Sequence, residues 1–159
     1  MMGSGKTTIG RILAEQLDVP FKDTDKLLQN ILGRPIHQLF HVFGEETFRL
    51  HETKLLQTLA AEDCVLSTGG GTPSREENWH ELDRLGTSVF LDVDIEVLKD
   101  RLATAKKRRP LIEFSDWEDR LDEILERRRP MYERAPVILK LGDQEPHTVV
   151  ALIRDALKT

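Results

Sequence analysis

One cysteine, Cys64, is found in 159 residues. A lone thiol excludes an intrachain disulfide and a cysteine-based zinc framework. No apolar run approaches the roughly 20 residues that cross a bilayer. The N-terminal residues carry no basic-then-apolar targeting pattern. Internal repeats, linkers and low-complexity tracts are also lacking. So is an excess of positive charge. Lys and Arg number 23 against 28 Asp and Glu, a formal net charge of −5, which disfavours a general nucleic-acid binder. No heptad or long apolar stripe suggests an oligomer interface. What is present is an ordinary soluble composition, 39% hydrophobic and 32% charged. The length suits one domain with a proper core. The expectation is a single cytoplasmic domain over 1–159, with no nucleic-acid or membrane partner.

Along the chain, helical and strand patterns alternate. Ile9, Ile12, Leu13 and Leu17 recur at helical spacing, and Pro20 is expected to end that helix. Val19-Pro20-Phe21 reads as the tail of a short strand. Helical patterns follow over 26–31, around Leu39 to Phe43, and from Glu45 to Ala61, broken by Gly33-Arg34-Pro35 and by Gly44. Cys64-Val65-Leu66 is a buried-strand candidate. A helix over 78–85 stops at Gly86. Ser88 to Val93 is the clearest strand, and Asp94 suits the N-cap of a helix through about Ala105. Lys106 to Phe114 reads as a basic loop, Trp117 to Tyr132 as a helix, and Val137-Ile138-Leu139 as a strand. Pro146 opens a last helix to about Leu157. This alternation implies an α/β domain with a mainly parallel sheet.

The most specific local signal is Gly3-Ser4-Gly5-Lys6-Thr7-Thr8. Its last positions fit the phosphate-binding pattern G-x-x-x-x-G-K-[ST], whose first glycine would lie one residue before Met1. Glycines let backbone N–H groups crowd around phosphate oxygens, and a helix N-terminus adds positive potential. Lys6 would reach the outer phosphates and the Thr7 hydroxyl would bind Mg²⁺. Asp23-Thr24-Asp25 ends a strand, where open α/β sheets bind ligands. An ordinary helix N-cap explains it equally well. Arg49 and Glu52 stand at i, i+3 within Gly44-Glu45-Glu46-Thr47-Phe48-Arg49-Leu50-His51-Glu52, and taken alone they read as a surface ion pair. Gly69-Gly70-Gly71 makes sense where backbone must approach a ligand closely. The run Lys106 to Arg109 and the run Arg127 to Arg129 read either as solvated charge or as anion-binding groups. His37 and His41 have a zinc-compatible spacing without an evident third ligand.

Taken together, these motifs resemble shikimate kinase, a small P-loop kinase of the nucleoside monophosphate kinase type. Its phosphate loop, D-x-D, G-E-x-x-F-R-x-x-E, G-G-G, R-P-L-L and R-x-P-[LM]-Y segments correspond in order to Gly3–Thr8, Asp23–Asp25, Gly44–Glu52, Gly69–Gly71, Arg109–Ile112 and Arg128–Tyr132. The resemblance covers essentially the whole chain. It implies a three-layer P-loop kinase fold, with a mainly parallel central sheet flanked by helices. It places a substrate-binding segment at about 25–55 and a lid at about 106–116. It implies a monomer that transfers a phosphoryl group from ATP, with Mg²⁺, to the shikimate 3-hydroxyl. Lys6, Asp25 and Arg109 are the implied catalytic residues. Gly3, Ser4, Gly5, Lys6, Thr7, Thr8 and Arg109 would hold ATP, with Arg101 and Pro146 on either side of the base. Asp25, Arg49, Gly69, Gly70, Gly71 and Arg128 would bind shikimate, and Thr7 and Asp23 the metal.

The family pattern has a strand and a glycine ahead of the phosphate loop, and neither precedes Met1 in this sequence. The expectation is that the first, central strand is missing and that its neighbours lose partners. Either the start lies about ten residues too far downstream or the chain is truncated. The alternatives are another small-molecule kinase, acting on gluconate or a nucleoside monophosphate, and a kinase-like binding module without turnover. A nucleotide acceptor needs base-recognition contacts, whereas two converging arginines suit a small carboxylated polyol.

Overall fold

The computed structural model describes residues 1–104 and 115–158. Helix α1 (Lys6–Leu17) buries Ile9, Leu13 and Ala14 on one face. It stops before the proline expected to end it. Asp18 takes the left-handed conformation (φ 54°), and its N–H caps the carbonyls of Ala14 and Glu15. Strand β1 (Phe21–Asp23) begins later than the 19–21 segment read from the sequence. Pro20 has no N–H to give a ladder, although its carbonyl accepts from Val65 N at 2.9 Å.

Helix α2 (Thr24–Leu32) is N-capped by Asp23, whose Oδ1 accepts from the N–H groups of Asp25 and Lys26. Helix α3 (Ile36–Thr58) is broken at Gly44 (φ 75°, ψ 166°), so the two helical patterns on either side of this glycine form one kinked element. Strand β2 (Val65–Ser67), helix α4 (Glu76–Leu85), strand β3 (Val89–Val93) and helix α5 (Ile95–Ala103) follow. Helix α6 (Trp117–Tyr132), strand β4 (Val137–Leu141) and helix α7 (Pro146–Leu157) complete the order. The lid sequence from Lys106 to Phe114, with Arg109, lies outside the described residues. Among the described residues no helix is long and apolar enough to cross a membrane.

The main core joins α1, the C-terminal end of α3, α4, α5, α6 and α7 to the strands, with Leu56, Leu102, Leu121 and Val150 almost fully buried. A smaller cluster of Leu28, Leu39, Phe48 and Leu55 ties α2 to α3. Each such side chain contributes about 1.5–3 kcal/mol on burial, whereas an exposed ion pair contributes roughly 0.2–1 kcal/mol. The cluster is therefore what holds the 25–55 segment together.

The expected parallel sheet is present as two pairs. β1 pairs with β2 and β3 with β4, both parallel. Between them lies a cavity of about 520 Å³, lined by Val65–Ser67 on one side and Val89–Leu91 on the other. Ile9 and Leu13 of α1 and Trp79 and Leu82 of α4 also line it. Among the described residues β2 pairs with β1 and β3 with β4, and the cavity lies on the other side of each.

Alternate residues of a strand direct their backbone groups to opposite sides. Val65 N bonds toward β1, and Ser88 O accepts from Val137 N of β4. The amides of Leu66, Val89 and Leu91 therefore face the cavity, whereas those of Val65, Phe90 and Asp92 face a paired strand. In hydrogen exchange followed by NMR, the first three should exchange faster than the second three. Equal protection in both sets would show that the two pairs close onto each other.

Candidate active site

The turn before α1 is compact. Gly3 and Gly5 both have positive φ, 77° and 82°, which favours glycine at each. Ser4 is buried and its hydroxyl donates to the Met1 carbonyl at 2.9 Å. Lys6 Nζ donates to the same oxygen at 2.5 Å. The first turn of α1 has neither a side-chain cap nor an acidic residue. Its N–H groups and the Lys6 ammonium form an anion-attracting corner. The Thr7 hydroxyl donates to Asp23 Oδ2 at 3.1 Å. Asp23 thus caps α2 through Oδ1 and meets Thr7 of this corner through Oδ2.

Asp25 stands one residue into α2 and is largely enclosed. Burial raises its pKa above the ordinary carboxylate value, and the charges of Asp23 and Glu52 push it further, against the pull of Lys6 and Arg49. A carboxylate tuned in this direction is the better proton acceptor. Glu52, on α3, is 2% exposed. It accepts from Arg49 Nη1 at 2.5 Å and from the Thr72 hydroxyl at 2.6 Å. The surface ion pair suggested by the i, i+3 spacing is therefore buried. Arg49 also donates to Glu45 Oε1 at 3.1 Å and lies over the rings of Phe40 and Phe48. Burial works against its charge, but Glu52 and Glu45 outweigh burial and hold its pKa above the usual value. A guanidinium carries five N–H donors, more than these two bonds use.

The triple glycine supplies close approach. The Gly69 N–H donates to the buried Thr24 hydroxyl at 2.9 Å. A Cβ on Gly69 would lie 2.6 Å from Glu52 Oε1 and 2.7 Å from Asp25 Oδ1, and one on Gly71 would overlap the Arg49 guanidinium. None of the three has positive φ, so at Gly69 and Gly71 it is space rather than backbone conformation that requires glycine. Arg128 reaches the same place from α6. Its Nη1 donates to the Gly70 carbonyl at 3.4 Å and its Nη2 lies 4.0 Å from Glu45 Oε1, the oxygen that also holds Arg49. The two arginines expected as a clamp converge on one carboxylate.

A second cavity, of about 260 Å³, opens beside the glycine turn. Gly3, Gly5, Thr8, Arg101 and Pro146 line it, which brings together the two residues expected around a base. Arg101 is tied to Asp143 by an ion pair of 2.9 Å. Among the described residues no three His, Cys, Asp or Glu side chains converge as a metal cage. Oxygen donors in the Thr7–Asp23 style suit a cation that keeps most of its water and phosphate ligands.

The sequence reading did not assign roles to Thr24, Thr72 or Tyr132. Each acts through a partner remote along the chain, at separations of 45, 20 and 62 residues, and no local spacing marks such contacts. Glu52 was visible within its motif, but its burial was not.

A family model described as shikimate kinase matches residues 2–158. A curated shikimate kinase of Bacteroides fragilis is 42% identical over 141 residues, covering 86% of this chain and 79% of the relative. One from Rippkaea orientalis is 39% identical, covering 100% of this chain and 85% of the relative. Among solved structures, shikimate kinase from Acinetobacter baumannii in complex with shikimate superposes with a TM-score of 0.90 at 32% identity, covering 98% of this chain and 88% of that one. Shikimate kinase from Bacteroides thetaiotaomicron gives 0.89 at 35% identity, covering 99% and 94%.

The glycine contacts can be tested as a pair. Gly69→Ala should cost roughly 1–3 kcal/mol in urea unfolding, the range for forcing an extra group into a packed site. Gly70→Ala, where an added Cβ meets nothing closer than 3.5 Å, should cost clearly less. Equal losses would contradict the close approach described for Gly69.

Proposed function

The chain belongs to the shikimate kinase family, and on that premise we propose that it transfers the γ-phosphoryl group of ATP to the 3-hydroxyl of shikimate, giving shikimate 3-phosphate and ADP. The observation that carries this reading is the convergence of Asp25, Arg49, Arg128 and Gly69–Gly71 beside the Lys6 corner. A small polyol carboxylate and a triphosphate have complementary groups in one cleft.

The chemistry follows from the residues. The glycine turn Gly3–Gly5, with Lys6, Thr7 and Thr8, takes the phosphates. The cavity between Arg101 and Pro146 takes the base. Arg49 and Arg128 bind the acceptor carboxylate, a task that suits planar guanidinium forks. Holding both partners in one geometry removes much of the entropic barrier to an in-line transfer. Asp25 hydrogen-bonds the attacking hydroxyl and accepts its proton, helped by the raised basicity that burial gives it. Lys6 neutralises charge on the moving phosphoryl group, and Arg109 has the same role in this reading.

Mg²⁺ fits the Thr7–Asp23 pair, a hydroxyl and a carboxylate already 3.1 Å apart. When bound, the ion draws charge from the phosphate oxygens. In the same reading the enzyme works in the cytoplasm as a monomer on two small molecules, within the synthesis of aromatic amino acids.

The direct test is a coupled ADP-release assay with Mg-ATP and shikimate. Turnover should depend on shikimate, and Lys6→Ala should abolish it. Arg49→Ala should raise the shikimate KM by roughly 10- to 100-fold, as expected for losing a charged hydrogen bond. ADP release indifferent to shikimate, or an unchanged shikimate KM in Arg49→Ala, would contradict the assignment.

A further inference from the structure

Tyr132, the last residue of α6, is 4% exposed, and its ring packs on Phe90 with centroids 5.1 Å apart. Its hydroxyl donates to the Gly70 carbonyl at 2.5 Å. Arg128, one turn earlier, donates to the same oxygen. The helix that carries both is fixed to the sheet. Arg129 makes a two-pronged pair with Asp92 of β3, both bonds 2.9 Å. Burial pushes the Tyr132 phenol above its ordinary pKa, so it stays protonated and keeps its donor across the physiological range.

The position of this bond has a geometric consequence. The Gly70–Gly71 peptide is planar and trans, so the Gly70 C=O and the Gly71 N–H point in opposite directions. Drawing the carbonyl toward α6 turns the N–H away from α6. The Gly71 α-carbon itself lies against the Arg49 guanidinium. The N–H is therefore offered to the cleft that Arg49 borders.

We propose that Tyr132 is a positioning residue for the phosphoryl acceptor, holding the Gly70–Gly71 peptide so that the Gly71 N–H meets an acceptor oxygen. The proposal rests on the reading of this cleft as the shikimate site. Tyr132 touches neither reacting atom. It acts through a backbone that glycine leaves free to rotate, and this freedom is what makes an external hold necessary.

The test is Tyr132→Phe, which keeps the ring and its packing and removes only the hydroxyl. Steady-state kinetics with each substrate varied, together with thermal unfolding, separate the possible roles. The shikimate KM should rise roughly five- to tenfold, the size of one neutral hydrogen bond. The ATP KM and the Tm should stay near those of the wild type. A lowered Tm and kcat with both KM values unchanged would assign Tyr132 to the core alone and overturn the proposal. So would wild-type behaviour in every parameter. If the wild-type chain neither turned over nor bound shikimate by calorimetry, the proposed function itself would fall, and the positioning role with it.

Discussion

The acceptor side of the cleft depends on one buried carboxylate. Glu52 is shielded from water, and an ionised group in that position is costly unless it is paired and hydrogen-bonded. Arg49 and Thr72 supply those bonds. The requirement fixes several neighbours at once. Arg49 must fold back along α3, which lays it over Phe40 and Phe48. Thr72 must come close, which draws the glycine segment inward until Gly69 has no room for a side chain. After burial and the charge of Asp23, the negative charge of Glu52 also raises the Asp25 pKa, against the pull of Lys6 and Arg49. In the proposed mechanism, Glu52 thereby links Arg49, which binds the acceptor, to Asp25, which takes its proton, without itself touching the substrate.

The second half of the cleft is held by different means. α6 is anchored to β3 by the Arg129–Asp92 pair and brings Arg128 and Tyr132 to the Gly70 carbonyl. The glycine segment is thus gripped from two sides, by Glu52 through Thr72 and by Tyr132 through Gly70. Tyr132 and Gly70 both line the cavity that separates the two strand pairs, so their bond crosses it. That bond ties the two strand pairs together where no ladder joins β2 to β3 among the described residues.

Much of this was legible in the sequence where the chemistry is local. The glycine turn, Lys6, Thr7 and the cap at Asp23 all lie within a turn of the elements they serve, and the alternation of apolar patterns gave the α/β order. Other features were not. Spacing puts Arg49 and Glu52 on one helix face but cannot say whether that face meets solvent or a second layer. Asp18 could end α1 early because a left-handed cap needs only one permissive residue, whereas Pro20 is the louder signal. The Tyr132–Gly70 bond joins residues 62 positions apart, and only the packing of α6 reveals it.

The claim that Glu52 tunes the site is tested most directly by the pH dependence of kcat/KM for shikimate in Glu52→Gln against the wild type. The acidic limb of that profile reports ionisation of the proton acceptor in the free enzyme. Burial and Asp23 raise the Asp25 pKa most and Glu52 adds to them, so removing its charge favours the ionised form, and the limb should move to lower pH. An Arg49 freed from Glu52 would push in the same direction. A limb that stays in place, or moves to higher pH, would contradict the account.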